Sequence, residues 1–360
     1  MSDSYHSKSV YLINNKQLYS ICGELFTYLT ELRINYSSID YHHLAWHLSH
    51  IIEIVYSNKL VNVDLNIFDV IKQYTNGQES INDTEKYIDA NLITTIVASD
   101  IRKNNEKISY KTIDEIREWL YKSEAYKIKK QKYNKNEYLL LDLKKYEALI
   151  NGTSTNNPLF FIGIFLYNIE TLLEKDSLLP IERSIHLNLY LMKNKLSFSP
   201  TLCISYPLLY NLKNYENALK KLLVDDSQIS AFSEIIFDLI KQSAVINRAL
   251  ISNVIYDFSN FKNFLNKRNK VAKMLKNLPY MNLFKVASLS VNVIDKVLKI
   301  KNLKESKLIL DTLIEQNLLA SISSKNDYFM WKQTYHSIKK LDRNKSQSTM
   351  EIFKLKEDTN

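Results

Sequence analysis

Four histidines fall within nine residues of this sequence, at His42, His43, His47 and His50. On a helix His43, His47 and His50 share one face, and imidazoles at that spacing can hold Zn²⁺. A tetrahedral site would still need a fourth ligand, from Glu53 or from a remote group. The plainer reading is a half-exposed helix whose rings pack beside Trp46, with no metal. A second candidate is Arg183 with His186, three residues apart at a helix start. Helix N-termini favour negative charge, so the pair is a candidate site for binding an anion, such as a cofactor's. Its plainer reading is a solvated surface pair. A third is Lys304 and Lys307 at the start of another helix, with Lys325 in a polar turn downstream. Ammonium groups so placed can contact nucleic-acid phosphates. The competing reading is that Lys is common throughout the chain and the module serves packing or dimer contacts.

Charge distribution bears on the third candidate. The 360 residues carry 48 Lys and Arg against 39 Asp and Glu, a net +9. The stretch from Lys262 to Lys345 holds 18 basic and 6 acidic residues, a balance of +12, so the remainder is slightly acidic. A phosphate-bearing partner such as DNA is therefore expected at the C-terminal block and nowhere else in particular. Cys22 and Cys203 are too few for a disulfide framework or a ligand cluster, which fits a reducing cytoplasm. No signal peptide is visible at the N-terminus. The longest apolar stretch, 159–167, falls well short of the roughly 20 residues that span a bilayer. It reads as a buried core helix, and no membrane association is expected.

Positioning these residues requires helices. With 4 Gly and 5 Pro the chain lacks material for many tight turns, and a mainly α fold is expected. Apolar residues at Leu18, Ile21, Cys22, Leu25, Phe26 and Leu29 mark one buried face of a helix over 17–32. Asp40 can cap a helix running to 56, and further helices are expected over 62–77, 85–102 and 109–120. The stretch 121–138 reads as an exposed loop or hairpin, 139–150 as a short strand or a helix start, and 151–157 as a loop. Pro158 opens an apolar helix, since Pro is tolerated in a first turn. Helices follow over 181–195, 208–223 and 227–264. In the last block, 278–338, a helix over 304–317 precedes β-prone runs at 318–322 and 328–331 around the turn 323–327. That is the order of a recognition helix followed by a wing.

From about residue 108 to 337 the order of elements resembles Fic-family (Fido-fold) proteins. The run Pro158-Leu-Phe-Phe-Ile-Gly-Ile-Phe-Leu-Tyr-Asn-Ile169-Glu170 looks like the helix approaching the family's signature, Phe-Glu-x-Ile-His-Pro-Phe-x-Asp-Gly-Asn-Gly-Arg-x-Gly-Arg, with Ile169-Glu170 at the Phe-Glu position. The run Leu196-Ser-Phe-Ser-Pro200-Thr-Leu-Cys-Ile-Ser205 resembles the family's Leu-Leu-x-x-Pro-x-Leu-x-x-Ser, and Tyr215-Glu-Asn-Ala-Leu219 its Tyr-Tyr-x-x-Leu helix. The C-terminal block resembles the winged-helix domain many members carry. Tyr36-Ser-Ser-Ile-Asp40 resembles the family's inhibitory helix only faintly.

The signature itself departs from the family's. Leu173 falls where the catalytic His stands, Arg183 matches the first Arg, His186 takes the place of the second, and no Gly-x-Gly intervenes. The resemblance implies AMP transfer from ATP in proteins that keep the motif. Leu173 offers no base, and losing one costs about 100- to 10,000-fold. Leu178, Leu179, Pro180 and Ile181 replace the glycines whose N–H groups cradle phosphate. The expectation is a Fido-like helical core without catalysis or cofactor, which acts through a protein partner, a second copy or DNA. The alternative is a divergent adenylyltransferase using another site. The expected division is an N-terminal helical region (1–105), a Fido-like domain (106–265), a winged-helix-like domain (266–345) and a polar tail (346–360).

Overall fold

The structure is a computed structural model that describes residues 8–9, 11–37, 42–60, 62, 64–76, 107–109, 111, 144, 147–148, 150–151, 157–172, 180–197 and 202–343. The fold is mainly α. In chain order the helices are α1 (Lys16–Ser37), α2 (His42–Lys59), α3 (Ile67–Asn76), α4 (Ile162–Leu172), α5 (Pro180–Lys193), α6 (Ser205–Leu222) and α7 (Ile229–Leu265). They continue with α8 (Lys270–Lys276), α9 (Val291–Leu298), α10 (Leu303–Glu315) and α11 (Lys332–Arg343), with β1 (Leu319–Ser321) and β2 (Phe329–Trp331) between the last two. The chain divides into two units: residues 1–34, 56–63 and 81–244 form the first, and residues 35–55, 64–80 and 245–360 the second.

In the first unit, α4 is apolar nearly all round, and Ile162, Ile164, Phe165, Leu166 and Ile169 are all buried. Such a helix must be enclosed by others. The Phe165 ring lies tilted 4.3 Å from that of Tyr190 of α5, whose hydroxyl donates to the Pro158 carbonyl at 2.7 Å. Tyr215 of α6 lies 5.5 Å from Phe232 of α7. Gly163 sets how closely α4 can approach α7. A Cβ there would lie 2.0 Å from Ser233 Oγ and 3.0 Å from Ser233 Cα. Gly163→Ala gains about 1 kcal/mol of helix propensity but must push two helices apart, an overpacking that costs about 1–3 kcal/mol. Chemical denaturation should therefore find a net loss of up to about 2 kcal/mol. The Ser233 hydroxyl is buried without a hydrogen-bond partner among the described residues, so Ser233→Ala should be neutral or stabilising, and should recover part of the loss when combined with Gly163→Ala. A Gly163→Ala protein more stable than the parent by the full ~1 kcal/mol of helix propensity would contradict this packing.

Helix ends follow from a shortage of glycine. Lys195, Lys299 and Asn317 adopt left-handed φ values of 58°, 56° and 59°. Each closes its helix with a six-residue hydrogen bond: Leu196 N to Leu191 O at 2.8 Å, Ile300 N to Asp295 O at 3.0 Å and Leu318 N to Leu313 O at 3.1 Å. Glycine usually fills this position, and each lysine carries the steric cost of a Cβ there. Asparagines mark helix starts. Asn66 Oδ1 accepts from Phe68 N and Asp69 N, so α3 begins at Ile67 rather than 62, and Asn62 sits in a left-handed turn. Pro158 does not open α4. Consecutive three-residue turns and the Asn157 side chain, which accepts from Phe160 N, precede Ile162. The Asp40 cap, the helices expected over 85–102 and 109–120 apart from a few residues, and the loop at 121–138 lie outside the described residues.

In the second unit, α2 buries Leu44, Leu48, Ile51, Ile52 and Val55. Ser49 of α2 donates to Asn247 of α7 at 2.8 Å. An aromatic group closes the C-terminal half: Phe284 stacks on Trp331 at 4.1 Å and 12°, with Phe258 and Phe261 of α7 set edgewise around them. Asp257, buried on α7, accepts from Gln333 N, Thr334 N and Thr334 Oγ1 at 3.0, 2.9 and 2.7 Å. A carboxylate from one helix thus caps the N-terminus of α11, where the dipole favours negative charge. Burial raises the Asp257 pKa although those hydrogen bonds pull it down. Among the described residues no helix is long and apolar enough to cross a membrane.

Candidate functional site

The segment resembling the Fic signature holds an ion pair. Leu173 lies outside the described residues, as do 174–179. Arg183 does not stand in a solvated surface pair. Its Nε donates to Glu170 Oε1 and its Nη2 to Glu170 Oε2 at 3.2 Å, while the Tyr215 hydroxyl donates to the same carboxylate at 2.5 Å. Glu170 is 7% exposed and Tyr215 2%. Burial opposes the guanidinium charge, but the Glu170 carboxylate outweighs it and raises the Arg183 pKa. Burial, then the same carboxylate, raises that of Tyr215, which stays a neutral donor. His186 is likewise no surface residue: it is 1% exposed, on the enclosed face of α5. Asn188, also buried, clamps the chain after Pro200. Its Nδ2 donates to Leu202 O at 3.0 Å and its Oδ1 accepts from Leu202 N at 3.1 Å. This arrangement stabilises a packed interior, and the guanidinium that the resemblance would offer to a phosphate already faces a carboxylate.

The histidines of α2 pack beside Trp46, with His43 and His47 half-buried and His50 buried. His47 and His50 each lie 4.9 Å from the Trp46 ring, and His50 is 7% exposed. The Tyr74 hydroxyl of α3 is hydrogen-bonded with His47 Nδ1, and His50 Nδ1 sits 3.4 Å from the Trp46 carbonyl. Burial and then the neighbouring His43 lower the His47 pKa to about 4; burial and then His47 lower that of His50 to about 3. Among the described residues no three His, Cys, Asp or Glu side chains come together to hold a metal ion.

Lys304, Lys307 and Lys325 all belong to the second unit. Helix α9 begins at a Ser290 cap, whose Oγ accepts from Val293 N at 3.3 Å, and ends at left-handed Lys299. Four residues, 299–302, turn the chain into α10, which starts where Asn302 Oδ1 accepts from Lys304 N at 3.0 Å. Ile309, Leu310 and Leu313 bury the inner face of α10. Lys304 and Lys307 are exposed on its outer face beside Leu303 (58% exposed) and Leu308 (43%). Strands β1 and β2 follow as an antiparallel hairpin in the register Leu319↔Trp331, Ala320↔Met330 and Ser321↔Phe329. Lys325 is exposed in its turn. Leu289, just before α9, bridges to Phe329 and exchanges two hydrogen bonds with it, at 2.7 and 2.9 Å. That third edge is a feature the sequence reading missed, as are the Glu170–Arg183–Tyr215 group and the exposed leucines of α10. A charge inside the apolar run of α4 was the available signal for Glu170.

No family's sequence profile matches this chain, and no curated protein is similar to it. Among solved structures, the crystal structure of a Fic family protein from Desulfovibrio desulfuricans G20 is similar over 86% of this chain and 95% of its own, with 11% identity and a TM-score of 0.46.

Proposed function

We propose that this chain is a catalytically degenerate Fic-like protein that acts by binding, and that its C-terminal unit is a winged helix-turn-helix which contacts duplex DNA through Lys304, Lys307 and Lys325. The observation that carries the reading is the sequence of elements from Leu289 to Trp331. A short edge, two helices joined by a four-residue turn, and a hairpin follow in order, with exposed lysines on the second helix and in the hairpin turn. A helix so displayed can enter a major groove while lysines at its start and in the wing neutralise phosphates. Lysine contacts to phosphate position a protein on DNA without reading bases, and no Arg, Asn or Gln stands on α10.

Support for the non-catalytic half comes from residues rather than from similarity. Leu173 has no titratable atom, Pro180 has no N–H to offer a phosphate, and Arg183 is held by Glu170. Cys22 and Cys203 are buried and not joined in a disulfide, which suits a reducing cytoplasm. Burial, partly opposed by Asn157, pushes the Cys22 thiol up to about 11, so it is unreactive.

The test uses full-length protein and a labelled duplex. The triple variant K304E/K307E/K325E should bind at least about tenfold more weakly at low salt than the parent, with unchanged thermal unfolding, since all three side chains are exposed. Equal affinity would refute this assignment of the interface. Transfer of label from ATP to a protein in a lysate would instead favour the divergent adenylyltransferase.

A further inference from the structure

A second basic surface lies outside the helix-turn-helix. From Lys262 to Lys276 the sequence carries Lys262, Lys267, Arg268, Lys270, Lys273 and Lys276, with no acidic residue, and the next one downstream is Asp295. All six side chains are exposed, and among the described residues none is in an ion pair. A lysine-rich stretch on a solvated helix is usually interleaved with acids that neutralise it. Here α8 turns Val271, Ala272 and Leu275 inward and presents Lys270, Lys273 and Lys276 outward.

The placement of this ridge is informative. Lys267 Nζ donates to Gln316 Oε1 at 2.9 Å, which sets the junction of α7 and α8 against the C-terminal end of α10. Lys304 and Lys307 stand in the first turns of α10. Lys307 stands nine residues, about 13 Å of helix, before Gln316, so it and Lys267 are further apart than a Debye length of about 8 Å. The two groups must therefore act as separate contacts. A duplex presents one phosphate charge per roughly 1.7 Å of axis and can satisfy both at once. An anionic membrane fits less well, because the apolar residues of α8 face the interior and leave nothing to insert.

We infer that the α8 ridge is a second phosphate-contacting surface, which takes the sugar–phosphate backbone of duplex DNA beyond the segment that α10 occupies. The inference rests on the DNA-binding reading given above and extends its footprint.

The experiment is fluorescence anisotropy with full-length protein and a labelled duplex of about three helical turns, between about 50 and 200 mM salt. K270E/K273E/K276E should weaken binding at least tenfold at the lower salt and reduce the slope of log affinity against log salt by about 3, whereas K270R/K273R/K276R should preserve both. If the Glu triple binds like the parent while K304E/K307E/K325E does not, the ridge is overturned and the helix-turn-helix reading stands. Should the ridge variant lose binding and K304E/K307E/K325E keep it, the ridge stands and the α10 reading falls. Absence of duplex binding by the parent at low salt overturns both. Parent binding to anionic phospholipid vesicles but not to duplex, lost in the ridge variant, overturns the ridge as a DNA surface.

Discussion

Replacing Glu170 with Ala is expected to cost about 3–5 kcal/mol of stability, enough to unfold many single domains. The carboxylate is 7% exposed and accepts from Arg183 Nε, Arg183 Nη2 and the Tyr215 hydroxyl. Without it an enclosed guanidinium loses its counter-charge and a buried phenol loses its acceptor, and each is a penalty of leaving a polar group unmatched rather than the worth of one contact. Two further variants separate these causes. Tyr215→Phe removes one donor and should cost about 1–2 kcal/mol. Glu170→Met combined with Arg183→Met removes both charges together and should be less damaging than Glu170→Ala alone, because apolar packing often substitutes for a buried ion pair at little net cost. Urea denaturation followed by circular dichroism measures all three. A loss below about 1 kcal/mol for Glu170→Ala would mean that water reaches Arg183 and that the pair behaves as a surface bridge.

Mild acid is expected to destabilise the second unit through His47 and His50. Both rings titrate below the ordinary value of 6.5, at about 4 and about 3. Between those values and 6.5 the unfolded chain binds protons that the folded chain does not, so stability falls as pH is lowered through that window. No such contribution exists above pH 7, where both states are neutral. At pH 5 the His50 contribution is about 2 kcal/mol, and that of half-buried His47 is at most similar. Melting temperatures should drop between pH 7.5 and 5, before most carboxylates titrate, and His50→Met should reduce the drop by about half. An unchanged melting temperature across that range would show that these rings are open to solvent.

The parts of the fold legible in the sequence were those that repeat a local pattern. Helix α10 and the two β-prone runs could be read because a helical apolar stripe gives way to two short apolar runs around the polar turn 323–327. Helix boundaries were less legible, since single side chains decide them. Asn66 and Asn302 start helices by accepting backbone N–H groups, and Lys195 and Lys299 end them in a conformation more usual for glycine. Partnerships between distant residues could not be read at all. Glu170 meets Arg183 and Tyr215 across 13 and 45 residues, and Asp257 meets Thr334 across 77. In each case the sequence held only a hint, a carboxylate in an apolar helix, and burial required a partner that only folding identifies. The expectation that Arg183 and His186 are solvated failed for the same reason, because α5 is enclosed on most of its circumference.

The most direct measurement is the affinity of the unmodified full-length chain for an unspecific DNA duplex as salt is raised from about 50 to 200 mM. Contacts from Lys304, Lys307 and Lys325 predict binding at the lower salt that weakens with a log–log slope of about −3 or steeper. No binding at low salt, or binding indifferent to salt, would contradict a protein that works through its lysines on phosphate.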